Sequence, residues 1–260
     1  MNSDDALPVY EEATPDDGAF ARWVATKAGE LLLRVREQDL ASDKLKEQGD
    51  RASHEFLMRA ISEYRPGDAI LSEEGRDDKA RLTAKRVWIV DPVDGTREFS
   101  EPPRTDWAVH VALWADGELV TGAVALPGLG ETFGADTPPV VAAPVDGPPR
   151  LAVSRTRPPQ FVNALAEEIG ATLVPMGSAG AKVISVVRGV TDAYVHAGGQ
   201  YEWDSAAPVA VARAAGLHTS RVDGSELRYN QDDVLLPDLL VCRPELAARI
   251  LDFVKRYSAG

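Results

Sequence analysis

Val87-Trp88-Ile89-Val90 runs without a break into Asp91-Pro92-Val93-Asp94-Gly95-Thr96, and no other segment constrains the fold as tightly. A short apolar run rich in β-branched and aromatic residues reads as a strand buried on both faces. Two carboxylates directly at its end, with Pro and Gly marking a turn, belong to a loop at a sheet edge. The pattern repeats. Ala69-Ile70-Leu71 leads into Ser72-Glu73-Glu74-Gly75, and Trp203-Asp204 opens a helical segment. Acids placed just past strand ends collect in the crevice at one edge of an α/β sheet. Glu73, Asp91, Asp94 and Asp204 are therefore expected in one place. Such a cluster repels itself unless cations fill it. Oxygen-only donors select magnesium over zinc or copper, and no paired Cys/His spacing competes with that reading.

The 91–96 loop carries further cues. Pro92 fixes its own φ and holds Asp91 extended, so that Asp91 and Asp94 can converge on one or two ions. The Val93 carbonyl is a further ligand candidate. Gly95 allows close backbone approach, and the amides of Gly95 and Thr96 would face an anion if a helix begins there. The Thr96 hydroxyl can orient a water. The competing reading is a plain surface turn rich in Asp, Pro and Gly.

Elsewhere the patterning gives a mixed α/β chain. Helical spacing covers 16–38, with Phe20, Trp23, Val24, Ala28, Leu31 and Leu32 on one face. The polar stretch 41–49 reads as a loop and 50–64 as a second helix. Segments 107–114 and 119–126 flank an Asp-Gly turn, a hairpin signal, with a third strand near 132–134. A Pro- and Ala-rich linker follows over 138–150. Strands are then expected at 151–153, 172–174, 192–195 and 234–241. They alternate with helices at 158–169, 179–187, 203–215 and 244–257. The domain reading is a tail over 1–15, an α+β half over 16–145 carrying the acidic loop, and an α/β half over 146–260 completing the site.

With 260 residues and a net charge of −13, bulk binding to nucleic acid or an anionic membrane is disfavoured, since both would be repelled. A small anionic substrate held by ions remains compatible. The single cysteine, Cys242, lies in an apolar run and excludes an intramolecular disulfide, which fits a reducing, cytoplasmic setting. The first residues lack the charged and apolar regions of a secretion signal, and no apolar stretch reaches the length of a membrane span. A homodimer is the one protein partner this reading admits. His54 and His110 read as packing or surface residues, and His196 is a weaker candidate for the pocket.

Asp91-Pro92-Val93-Asp94-Gly95-Thr96-Arg97-Glu98-Phe99 resembles the first signature of the inositol monophosphatase superfamily, and Trp203-Asp204-Ser205-Ala206-Ala207-Pro208 resembles the second. Glu73-Glu74 and Asp50 fit the acids upstream, in the family's order. Val153-Ser154-Arg155-Thr156, Gly177-Ser178 with Lys182, and Leu227-Arg228-Tyr229-Asn230 resemble segments of the 3′(2′),5′-bisphosphate nucleotidases of the bacterial CysQ type. The resemblance implies a layered αβαβα sandwich and magnesium-assisted hydrolysis of a phosphate monoester, with two or three ions per site. It implies one ion on Glu73, Asp91 and the Val93 carbonyl, and a second on Asp91, Asp94 and Asp204. Asp50, Glu73, Asp94 and Thr96 would serve catalysis. Gly95, Thr96, Arg155, Gly177, Ser178 and Lys182 would meet substrate, with Tyr229 under a base and Glu202 or Asp223 near sugar hydroxyls. Asp50 also suits an N-cap of the 50–64 helix. The implied substrate is 3′-phosphoadenosine 5′-phosphate, with inositol 1-phosphate or fructose 1,6-bisphosphate as alternatives.

Overall fold

The structure, a computed structural model, describes residues 16–144, 146–156 and 158–258, so the tail expected over 1–15 lies outside the described residues. Two five-stranded sheets form the frame. The first contains β1 (Ala69–Ser72), β2 (Arg86–Asp94), β3 (Ala108–Ala115), β4 (Glu118–Leu126) and β5 (Glu131–Gly134), in that spatial order. Its first pair is parallel and the rest antiparallel. The second sheet has the order β7-β6-β8-β10-β9, built from β6 (Arg150–Ser154), β7 (Thr172–Met176), β8 (Ala193–Tyr201), β9 (His218–Ser220) and β10 (Leu235–Cys242). Here β6 runs parallel to both β7 and β8, while β10 is antiparallel to its neighbours.

Side-chain alternation along the strands decides how the helices layer. Trp88, Val90, Val109, Val111 and Leu113 face α1 (Asp17–Arg36) and α2 (Ser42–Tyr64), where Phe20, Val24, Leu57 and Ile61 close an apolar core. Val87, Ile89, Ala112 and Val124 on the opposite face pack against α5 (Ala179–Val187) and α6 (Glu202–Ala214). Those two helices also cover Ala152, Tyr194, Leu239 and Val241 of the second sheet. Its far face, with Leu151, Val153, Val195 and Leu240, is covered by α4 (Gln160–Ile169) and α7 (Pro244–Tyr257). The result is the αβαβα sandwich. Cys242 is buried in this outer core, and burial pushes its thiol up to about 12, as for an inert packing residue.

Several expected boundaries shift: β2 runs on to Asp94 and β8 to Tyr201, past the ends expected at 90 and 195. Segment 41–49 is not a loop; it forms the first turns of α2, and Asp50 sits mid-helix rather than at an N-cap. Gly49 is where the helix lies on Phe99. A Cβ there would come within 2.4 Å of the ring. The short strand β9 was not anticipated.

Candidate functional site

The end of β2 carries the site because of one irregularity. Asp91 pairs with His110 and Asp94 with Ala108, so β2 spends three residues where β3 spends two. In a regular strand, residues three apart point to opposite faces. This bulge turns Asp91 and Asp94 to the same face, toward α5 and α6. The loop is pinned from both sides. Ser53 of α2 donates to the Pro92 carbonyl at 2.8 Å, and the Val93 amide donates to Asp91 Oδ1 at 3.0 Å. Gly95 then adopts φ +83°, a left-handed conformation natural to glycine, and starts the single turn α3 (Thr96–Phe99).

Asp204 arrives from the other sheet, as the third residue of α6. It accepts a 2.6 Å hydrogen bond from the Tyr201 amide, which closes the helix start. Oxygens of Asp91, Asp94 and Asp204 lie within 4.8 Å of one another. Glu73 follows β1, with its amide on the Val90 carbonyl at 3.3 Å. The residue is exposed overall, but its carboxyl end turns inward to share a hydrogen bond with Asp91. Val93 is buried, and its carbonyl accepts from Thr96 Oγ1 at 3.1 Å. Asp50, projecting from α2, reaches Thr96 from the opposite side.

The electrostatics divide the acids into two kinds. Burial, then the charges of Glu73, Asp94 and Asp204, pushes Asp91 well above the usual carboxylate range. Burial likewise raises Glu73, despite its bond to Asp91. It takes Asp204 up to about 6, with the charge of Asp94 adding. Asp50 rises to about 7 through burial and the charge of Glu74. Asp94 goes the other way. Burial opposes its charge, but His110, Ser178 and the Gly180 amide outweigh it and hold Asp94 below the usual range. Ser178 Oγ donates at 2.5 Å, Ala179 N at 3.1 Å and Gly180 N at 2.6 Å. This is a carboxylate seated on a helix N-terminus. Closely spaced acids that must hold protons to coexist, with only oxygen donors on offer, fit a hard divalent cation.

Beside the acids opens a cavity of about 300 Å³, lined in part by Gly95, Thr96, Arg155, Gly177, Ser178 and Lys182. All six residues expected to meet substrate therefore border one space. Arg155 is held there by Glu98, at 2.7 Å, and by Glu101, at 3.0 Å. Lys182 is buried behind the wall, its ammonium donating to the carbonyls of Gly177 and Ser178 at 3.1 and 2.8 Å. Burial lowers its basicity, against the raising charges of Asp94 and Glu98. Three other expectations change. Tyr229 is buried, with its hydroxyl 3.1 Å from Ser205, so it faces the core. Glu202 is buried too and accepts from the amides of Asn230 and Gln231 at 2.6 and 2.7 Å. The Asp223 carboxylate folds back on Ser225.

His110, expected as a packing or surface residue, lies against the acid cluster. It is 0 % exposed, and its ring stands between the Trp203 carbonyl, 3.0 Å from Nδ1, and Asp94 Oδ2, 3.2 Å from Nε2. The second contact is close enough for an ion pair but poorly aligned for a hydrogen bond. Burial lowers the basicity of the ring, but Asp94, the Trp203 carbonyl and the charge of Asp204 together outweigh it and raise the ring above its ordinary value. A polar residue in an apolar strand directly across from a site acid was the available signal.

The sequence profile of the inositol monophosphatase family matches residues 17–258. The chain belongs to that family. A Mycobacterium leprae relative described as a 3′-phosphoadenosine 5′-phosphate phosphatase is 48% identical, over 98% of each chain. A Mycobacterium bovis relative of the same description is 53% identical over 86% of this chain and 88% of its own. Among solved structures, the CysQ of Bacteroides thetaiotaomicron, described as a bacterial inositol monophosphatase family member, superposes with a TM-score of 0.76 at 27% identity. That match covers 87% of this chain and 97% of the other. The αβαβα layering is thus an inositol monophosphatase fold. Among the described residues no helix is long and apolar enough to cross a membrane.

Proposed function

We propose that this chain hydrolyses the 3′-phosphate of 3′-phosphoadenosine 5′-phosphate, in the cytoplasm, giving adenosine 5′-phosphate and inorganic phosphate. One observation carries the reading: a cluster of cation-seeking acids abuts a cavity of about 300 Å³ in a chain about half identical to phosphatases of that description.

Glu73, Asp91 and the Val93 carbonyl form one oxygen set, and Asp91, Asp94 and Asp204 another. Two or three magnesium ions are proposed for the site. Bound there, magnesium supplies Lewis acidity that acidifies water and offsets the charge on phosphate oxygens. The protein's own groups do the rest. Asp94, ionised by its α5 contacts, stays a fixed negative point while the other acids exchange protons for cations. The Thr96 hydroxyl has a single hydrogen, within reach of both the Val93 carbonyl and the Asp50 carboxylate; given to Asp50, it favours the ionised acid and frees the Thr96 oxygen to accept from a water. With Asp50 raised to about 7, both of its protonation states are accessible near neutrality. In its ionised form Asp50 can take the Thr96 hydrogen as the Thr96 oxygen takes a proton from the attacking water. Water attacks phosphorus, the bond to the ribose 3′-oxygen breaks, and that oxygen leaves with a proton from solvent. The walls around Gly177 and Ser178 hold the phosphate in line and limit access of bulk water.

The test is phosphate release with magnesium from 3′-phosphoadenosine 5′-phosphate, inositol 1-phosphate and fructose 1,6-bisphosphate. The expected kcat/KM on the nucleotide exceeds that on either sugar-type substrate by about 100-fold or more, and chelation abolishes all turnover. Faster turnover of a sugar-type phosphate would replace the nucleotide as substrate.

A further inference from the structure

Three elements meet on the imidazole of His110. The ring projects from β3 on the same face as Asp91 and Asp94, since His110 is the cross-strand partner of Asp91. Nδ1 faces the Trp203 carbonyl in the opening turn of α6, and the next residue is Asp204. A carbonyl can only accept, so Nδ1 carries a hydrogen toward it. Nε2 lies against Asp94. The start of α5 is shaped to the ring as well: a Cβ on Gly180 would stand 2.0 Å from Nε2, so only glycine lets the helix come this close.

Asp94 has three bonds from α5 without His110. The ring is therefore not needed to keep Asp94 near α5. Its distinct contribution is a polar link from the first sheet to the helix that carries Asp204. A leucine could fill a similar volume between the sheets, so packing alone gives no reason for a fully buried imidazole there. We propose that His110 is a positioning residue of the cation site, which ties Asp94 to the carbonyl preceding Asp204 and so sets the separation of two ligating carboxylates. The proposal rests on the reading of the acid cluster as a cation site.

The two ring contacts can be separated chemically. Asn places an amide nitrogen near the position of Nδ1, and Gln places one near Nε2. His110→Asn keeps the link to Trp203, His110→Gln keeps the link to Asp94, and His110→Leu keeps neither. Manganese titrated calorimetrically into metal-stripped full-length protein reads the site directly, and the magnesium dependence of phosphate release reads it in turnover. His110→Leu is expected to weaken manganese binding by about 10- to 100-fold, the usual loss when a partner of a metal ligand is removed. Its kcat at saturating magnesium falls less than about threefold, because the carboxylates themselves remain. His110→Asn and His110→Gln each recover part of the affinity.

Unchanged manganese affinity in His110→Leu overturns the proposal. So does a loss confined to kcat at saturating magnesium, or equal loss in all three variants. Should the leucine variant not fold, the Asn and Gln variants carry the test, and wild-type affinity in both overturns it. Failure of the wild-type protein to bind manganese would sink the cation-site reading itself, an outcome visible before any variant is made.

Discussion

Asp94 and Asp204 are both carboxylates of the same cluster, yet their surroundings give them different states. Asp94 is matched by donors and stays ionised, whereas Asp204 is buried with one amide bond and the charge of Asp94 against it. Asp204→Asn keeps an oxygen for the Tyr201 amide and removes one repelling charge. We expect phosphatase activity to fall by about 1000-fold or more, while the metal-free variant melts no lower than wild type at pH 8. Thermal unfolding and phosphate release in parallel check both halves. The raised acids also fix a pH dependence. Unfolded carboxylates titrate near pH 4, whereas Asp204 and Asp50 are taken up to about 6 and about 7. Between those limits the folded chain keeps protons that the unfolded chain has released, so this contribution lowers stability as pH rises. A divalent cation bound as proposed would cancel it by replacing the protons. The gain in Tm on adding magnesium should be small near pH 5 and grow through pH 8. A gain independent of pH would contradict the assignment.

At the scale of elements, α5 does two jobs with one terminus. Ser178 caps it, accepting from the Ala181 amide at 2.8 Å, at a backbone φ of +45° that is uncommon for a residue with a side chain. The same hydroxyl donates to Asp94. Ser178→Ala removes both bonds and should cost about 1–2 kcal/mol in urea unfolding. Because Ala179 and Gly180 still hold Asp94, the same variant should retain magnesium binding. The α2 helix shows the converse case. Its glycine is a contact surface for Phe99 rather than a break, and that contact carries Asp50 toward Thr96.

The whole molecule is built so that neither sheet has the α5/α6 layer to itself. A second tie runs through Arg81, which is buried and bonds Asp77, the Asn230 side chain at 2.7 Å and the Gln231 carbonyl at 2.8 Å. Asn230 and Gln231 in turn hold Glu202, two residues before Asp204. The segment after Glu73 and the start of α6 are thus joined from outside the site. Arg81→Ala leaves the Asn230 side-chain oxygen and the Gln231 carbonyl without this donor and Asp77 with Lys79 alone, and should destabilise the fold by about 2–3 kcal/mol. Denaturant titration measures that loss. Reduced magnesium affinity should accompany it.

The sequence by itself determined which acids stand past apolar strands, the hairpin with its Asp-Gly turn, and the alternation of strands and helices in the second half. Those features rest on local preference and side-chain period, which a few neighbouring residues set. The two family signatures are likewise local, and they made Asp91, Asp94 and Asp204 legible before any distance was known. Tertiary structure alone decided that a bulge turns Asp91 and Asp94 to one face, that Asp94 is ionised where its neighbours hold protons, and that Tyr229 and Glu202 point into the core. It also gave His110 its partners, one of them 93 residues away along the chain. Burial, charge and contact at that range depend on how separate elements pack, and no local pattern in the chain encodes them.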